Sequence, residues 1–178
     1  MQKDFFIKYS IDEIKSMISA KKLKVEDLLN LSDQLHKKFN KEFKFTESFD
    51  INQEIKYQDR DLGSIPYLAK DIFNTKLFKT EMGSIIWKDF CPGNNARIID
   101  NINSSGGILI GKTVTSEFAI HAANKTLNPF NKSRKVGTSS SGSAVAVALG
   151  VIPFALATQT AGSIIRPSSF CGIFGMKP

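Results

Sequence analysis

The sequence predicts an α/β fold, and three observations carry that expectation. Apolar residues recur at helical spacing through the first forty positions, and from Leu62 onward short apolar runs alternate with helix-like segments. Two runs dense in serine and glycine, residues 137–150 and 157–178, flank a short apolar stretch. Linkers of that composition need no apolar content, yet Val145, Val147 and Leu149 alternate here with Ala144, Ala146 and Ala148, which reads as a tightly packed buried helix.

Taken in order, Ser10-Ile11-Asp12-Glu13 reads as a capping box, and Ile11, Ile14, Met17 and Ile18 extend a first helix to about Ala20. A second helix opens near Lys24-Val25-Glu26-Asp27, carries Leu28, Leu29, Leu31 and Leu35 on one stripe, and runs towards Phe39. Residues 43–61 are polar and aperiodic, a connection with room for a short strand or helix. A strand is expected over Ile65 to Ala69, a helix-like segment over 94–104, and a buried strand over Gly107 to Ile110 bounded by turns. The helix after Gly142 and a strand over Val151 to Leu156 complete the pattern. Thr160-Ala161-Gly162-Ser163 stand just past that strand, where sites form in α/β sheets. The organisation expected is a helical segment, 1–61, packing on a single incomplete catalytic core, 62–178.

Composition narrows the function classes. With 42% hydrophobic residues the chain has ample material for a core. No uncharged apolar run of about 18 residues is present, and the charges scattered through the first fifteen positions leave no signal-peptide core, so no membrane partner and a cytoplasmic location are expected. The net charge of +7 is spread from Lys3 to Lys177 without an aromatic-interleaved basic module, which does not indicate a nucleic-acid partner. Cys91, Cys171, His36 and His121 form no metal-ligand spacing, and Cys171 reads as a small buried residue.

Several ordered blocks then identify a family. Gly63-Ser64-Ile65-Pro66-Tyr67-Leu68-Ala69-Lys70-Asp71-Ile72, Gly111-Lys112-Thr113 through Glu117-Phe118-Ala119, and the two Gly/Ser runs resemble the amidase signature hydrolases. The resemblance implies a mixed β-sheet core flanked by helices, a small-molecule amide substrate and no cofactor or metal. It puts the nucleophile at Ser163, a bridging serine preceded by a cis peptide at Ser139, and a lysine base at Lys70. The 24-position step from Ser139 to Ser163 fits the family pattern.

The chemistry explains the residue types. A serine hydroxyl is a poor nucleophile until a base takes its proton, and neither run contains a histidine. Lysine serves only when neutral, so it must be desolvated or sit near positive charge; Lys70 ends an apolar stretch. Lys70 would draw the proton from Ser139, Ser139 from Ser163, and Ser163 would attack an amide carbonyl to give an acyl-enzyme. The backbone N–H groups of Thr160, Ala161, Gly162 and Ser163 would form the oxyanion hole. Ser140 is expected to steady the relay, and Ser141 and Ser143 to serve as loop hydrogen-bonders. Lys112 falls in a non-catalytic block, Asp71 reads as an orienting carboxylate, and Arg166 as either an ion-pair partner or a contact for an acidic substrate group.

The chain departs from the family pattern at Thr138 and Ser141, where glycines are common, and at Gln159 and Ala161, where aspartate and glycine are common. The latter pair favours general amidases over the amidotransferase subunit that acts on mischarged transfer RNA. Family members usually extend for several hundred residues, so the chain reads as an N-terminal part, and a non-catalytic remnant or interaction module stands as a third reading.

Overall fold

The computed structural model describes residues 4–52 and 60–178. A single helical turn that the sequence pattern does not announce, α1 (Phe5–Lys8), opens the chain; burial of Phe5 and Phe6 in the main core holds it. α2 (Ile11–Ser19) begins where the capping box places it, with the Glu13 N–H donating to Ser10 Oγ at 3.3 Å and the Ser10 N–H to the Glu13 carboxylate at 2.7 Å. α3 (Val25–Phe43) runs a turn beyond its expected end. It stops where Lys44 turns left-handed and the Asn40 side chain accepts the N–H groups of Phe45 and Thr46 at 2.8 and 3.0 Å, launching β1 (Thr46–Phe49).

β1 joins β2 (Pro66–Lys70), β3 (Ile108–Thr113) and β4 (Phe154–Leu156) in a sheet of order β1-β3-β2-β4. β1 pairs antiparallel with β3, and β2 pairs parallel with both β3 and β4. β3 extends past the expected turn because Gly111, Lys112 and Thr113 pair with β1. β4 is shorter than expected: Val151 and Ile152 are buried in a turn, and Pro153, which has no N–H to give the ladder, precedes the first paired residue. α4 (Arg97–Ser104) connects β2 to β3, α5 (Ser141–Ala148) connects β3 to β4, and α6 (Ile165–Phe170) follows β4.

The two faces of the sheet carry different helices. Leu68 and Ile110 join the core formed with α2, α3 and Ala144, Val145 and Ala146 of α5, while Tyr67, Ala69 and Leu109 pack with Ile99 of α4. An extra residue on β3, opposite the Tyr67 to Ala69 step of β2, shifts the register so that Ala69 pairs with Lys112 and Lys70 with Thr113. Lys112 therefore shares the α4 side with Ala69, and Lys70 shares the α5 side with Thr113. No helix among the described residues is long and apolar enough to cross a membrane.

Candidate active site

Lys70 is the last residue of β2 and has no solvent exposure. Its Nζ donates to Ser139 Oγ in a short hydrogen bond and to Thr158 Oγ1 at 2.8 Å. Burial, with no carboxylate partner among the described residues, pulls its pKa down to about 8. A lysine in this setting is largely charged at neutral pH but has an accessible neutral form, which a solvated lysine lacks.

Ser139 is buried in the loop that leads into α5. The resemblance implies a cis peptide before it; among the described residues no peptide is cis, and this expectation is corrected. The local turn is made instead by positive φ at Gly137 (88°) and Ser139 (69°), a conformation that costs a non-glycine residue roughly 1–2 kcal/mol. Ser116 holds it there: the Ser139 N–H donates to Ser116 Oγ at 3.1 Å, the Ser116 N–H to the Ser139 carbonyl at 3.3 Å, and Ser116 Oγ to the Ala122 carbonyl at 2.6 Å.

Ser163 lies in the turn between β4 and α6 and is buried, but its hydroxyl makes no hydrogen bond among the described residues. The structure thus brings Lys70 and Ser139 into contact and leaves the Ser139 to Ser163 link unmade. The backbone N–H groups of Thr160, Ala161, Gly162 and Ser163 also make no hydrogen bond among the described residues. Gln159 shapes this turn, its Oε1 accepting the N–H groups of Ile164 and Ile165 at 2.9 and 3.0 Å. Ser140 Oγ donates to the Thr158 carbonyl at 3.3 Å, tying the two Gly/Ser runs together beside Lys70. Ser143, one turn on, bonds Thr113 Oγ1 at 2.7 Å and donates to the Leu156 carbonyl at 3.0 Å, which ties α5 to β3 and β4.

Lys112, the rival lysine, is fully committed. Its Nζ pairs with Asp71 at 2.9 Å and donates to Thr80 Oγ1 and to the carbonyls of Phe73 and Lys79 at 2.7, 2.9 and 3.1 Å. Asp71 Oδ2 accepts the Glu81 N–H at 3.0 Å. Burial raises the Asp71 carboxyl and lowers Lys112, so the pair is held by its hydrogen bonds against a desolvation cost. It pins the segment that follows Lys70. Sequence reasoning missed Thr158 and Ser116, which hold Lys70 and Ser139; a lone threonine or serine gives no periodic or motif signal apart from lying in a matched block.

An apolar groove of about 700 Å³ opens beside Ser140 and Thr158, walled by Phe154, Leu156, Ile164 and Ile173. Its scale is that of a small-molecule site.

Residues 27–178 match the family model described as Amidase, and the chain belongs to that family. It is similar to the A subunit of glutamyl-tRNA(Gln) amidotransferase from Chromohalobacter salexigens, 42% identical over 123 residues that cover 66% of this chain and 25% of that protein. The same protein from Geobacillus sp. (strain WCH70) is 32% identical over 189 residues, covering 96% of this chain and 39% of its own length. Among solved structures, the A subunit of glutamyl-tRNA(Gln) amidotransferase from Thermotoga maritima aligns with a TM-score of 0.82 at 28% identity, over 97% of this chain and 39% of that one. The peptide amidase from Stenotrophomonas maltophilia aligns with a TM-score of 0.82 at 26% identity, over 92% and 38%. The chain spans about a quarter to two fifths of the length of these relatives. The α/β core with a mixed sheet is therefore an amidase-type fold.

Proposed function

We propose that the chain carries the reacting groups of an amide hydrolase that cleaves a carbon–nitrogen bond through an acyl-enzyme. The observation that supports this most is the contact of buried Lys70 with Ser139. Neutral Lys70 accepts the Ser139 proton while Ser139 accepts the proton of Ser163, whose Oγ adds to the carbonyl carbon. The negative oxygen of the tetrahedral intermediate sits on the free N–H groups at 160–163, each typically contributing about 2.7–4 kcal/mol. Collapse breaks the carbon–nitrogen bond, and the proton held by Lys70 returns through Ser139 to the leaving amine. Water then repeats the sequence to release the acid. On this reading the Ser139 to Ser163 hydrogen bond forms when substrate binds, as catalytic hydrogen bonds tighten in the Michaelis complex.

Labelling with a fluorophosphonate probe tests the assignment. The wild-type chain is expected to label, Ser163→Ala not at all, and Lys70→Ala at a rate lower by about 10²- to 10⁴-fold. Label retained in Ser163→Ala overturns the nucleophile, and a folded wild type that never labels favours a non-catalytic remnant. A second reading, an amidotransferase subunit that acts on glutamyl-tRNA(Gln), is favoured by the names of the relatives although Gln159 and Ala161 depart from the pattern expected of it. Stimulation of ammonia release by glutamyl-tRNA(Gln), absent with uncharged tRNA, distinguishes it from a free-standing amidase.

A further inference from the structure

Thr138 and Ser141, where the amidase pattern commonly has glycine, each carry a hydroxyl that glycine lacks, and both hydroxyls meet the same neighbouring segment. His121 Nδ1 and Thr138 Oγ1 share a hydrogen bond of 3.2 Å, and Asn124 Nδ2 donates to Ser141 Oγ at 2.7 Å. Between these two contacts the Ser139 N–H donates to Ser116 Oγ at 3.1 Å. Residues 116–124, which leave the sheet after β3, therefore grip the Ser139 loop at positions 138, 139 and 141.

Donor and acceptor roles within the grip are set by its own bonds. Asn124 Oδ1 accepts the Thr126 N–H at 3.1 Å, which leaves Nδ2 directed at Ser141. Ser116 Oγ gives its one proton to the Ala122 carbonyl at 2.6 Å, so towards Ser139 it only accepts. The grip thus takes the Ser139 backbone and a hydroxyl on either side of it, and leaves the Ser139 hydroxyl to Lys70.

The gripping segment is itself strained. Phe118 and Ala119 both take positive φ, 47° and 58°, a conformation that residues other than glycine rarely adopt. Three bonds hold them there: the Phe118 N–H donates to the Met82 carbonyl at 2.9 Å, the Ala119 N–H to the Ser116 carbonyl at 2.8 Å, and Ser84 Oγ to the Glu117 carboxylate at 2.7 Å. The resulting turn brings Ala122 back to Ser116, and His121 and Asn124 to the loop. Strain that the surroundings enforce is typical of segments that preorganise a site.

We infer that Thr138 and Ser141 are positioning residues for Ser139: clamped by His121 and Asn124, they hold its left-handed backbone so that its hydroxyl meets Lys70. The inference rests on the proposed relay from Lys70 through Ser139 to Ser163. A loop with glycine at 138 and 141 cannot form these two bonds, so the clamp belongs to this sequence and not to the general pattern.

Saturation kinetics of fluorophosphonate labelling test it, because the maximal rate kinact reports the relay and the half-saturating concentration KI reports probe binding. None of the four clamp residues lines the apolar groove, so KI should stay within about twofold of wild type. Thr138→Val and Ser141→Ala, which remove the hydroxyls, are each expected to lower kinact about three- to tenfold, and Thr138→Ser to restore it. His121→Ala and Asn124→Ala should lower it as much, yet add nothing when combined with Thr138→Val and Ser141→Ala respectively. Wild-type kinact in the variants without hydroxyls, an equal loss in Thr138→Ser, or losses that multiply within each pair overturn the clamp. So does a lowered urea midpoint with kinact unchanged, which is what a merely structural bond gives. The two readings fail separately: label on a residue other than Ser163 removes the nucleophile assignment, whereas label on Ser163 with any of the contrary results removes only the clamp. A folded wild type that never labels removes both.

Discussion

On the proposed mechanism Lys70 joins stability and chemistry in one side chain. Its pKa of about 8 lies below the 10.5 of an unfolded lysine, so the folded state is penalised wherever both forms are protonated, and the penalty fades as pH rises from about 8 towards 10.5. Lys70→Met is expected to abolish turnover while raising stability at pH 7 by about 1–3 kcal/mol in urea unfolding, a gain set by the relieved desolvation less the lost hydrogen bonds. The same number predicts the rate profile: kcat/KM should rise about tenfold per pH unit below 8 and level off above it, and Lys70→Arg, which cannot lose its proton, should show no such limb. Lys112 behaves oppositely. Lys112→Met strands the buried Asp71 carboxylate and should cost about 3–5 kcal/mol, much of which the Asp71→Asn, Lys112→Met double variant restores in the same unfolding assay. Sequence could distinguish these lysines only through the matched blocks, because both sit at strand ends in apolar surroundings. What separates them is a one-residue register shift that places them on opposite faces of the sheet.

The elements were legible where local physics decides them and obscure where pairing does. The capping box of α2, the leucine stripe of α3, the buried strand β2 and the small-residue helix α5 follow from spacing alone. The full length of β3 depends on β1 far upstream, and α1 depends on a core that the first eight residues do not contain. The small residues of α5 have a structural reason beside any catalytic one. A Cβ on Gly142 would stand 2.4 Å from the Phe45 carbonyl oxygen and 2.5 Å from the Val114 N, both backbone atoms that cannot move without dragging β1 and β3. Gly142→Ala should therefore push α5 off the sheet, cost at least about 1–3 kcal/mol, and slow probe labelling by displacing Ser139 from Lys70. If labelling and the urea midpoint both match wild type, close docking of α5 is not what positions Ser139.

At the scale of the whole molecule, the fold divides into a well-covered side and an open one. β1 is backed by α3, whereas β4 is the other edge strand, only three residues long and half-buried, and the apolar groove runs beside it. Phe174 and Met176 stand almost fully in solvent, as do Ile85 and Ile86 on the loop after Lys70. An unpaired strand edge next to exposed apolar side chains is a surface that recruits other chains or dyes. The 178-residue chain is thus expected to bind an apolar fluorophore such as ANS in its folded state, and to show concentration-dependent association by sedimentation. Phe174→Lys with Met176→Lys should reduce both without lowering the urea midpoint, since neither side chain contributes buried area. Native-state near-UV circular dichroism must accompany the dye signal, because fluorophore binding with lost tertiary signal would report loose packing instead. The hydropathy pattern could not forecast this surface: Phe174 and Met176 follow a small-residue run just as core residues would, and only the sheet order shows that nothing among the described residues lies across them.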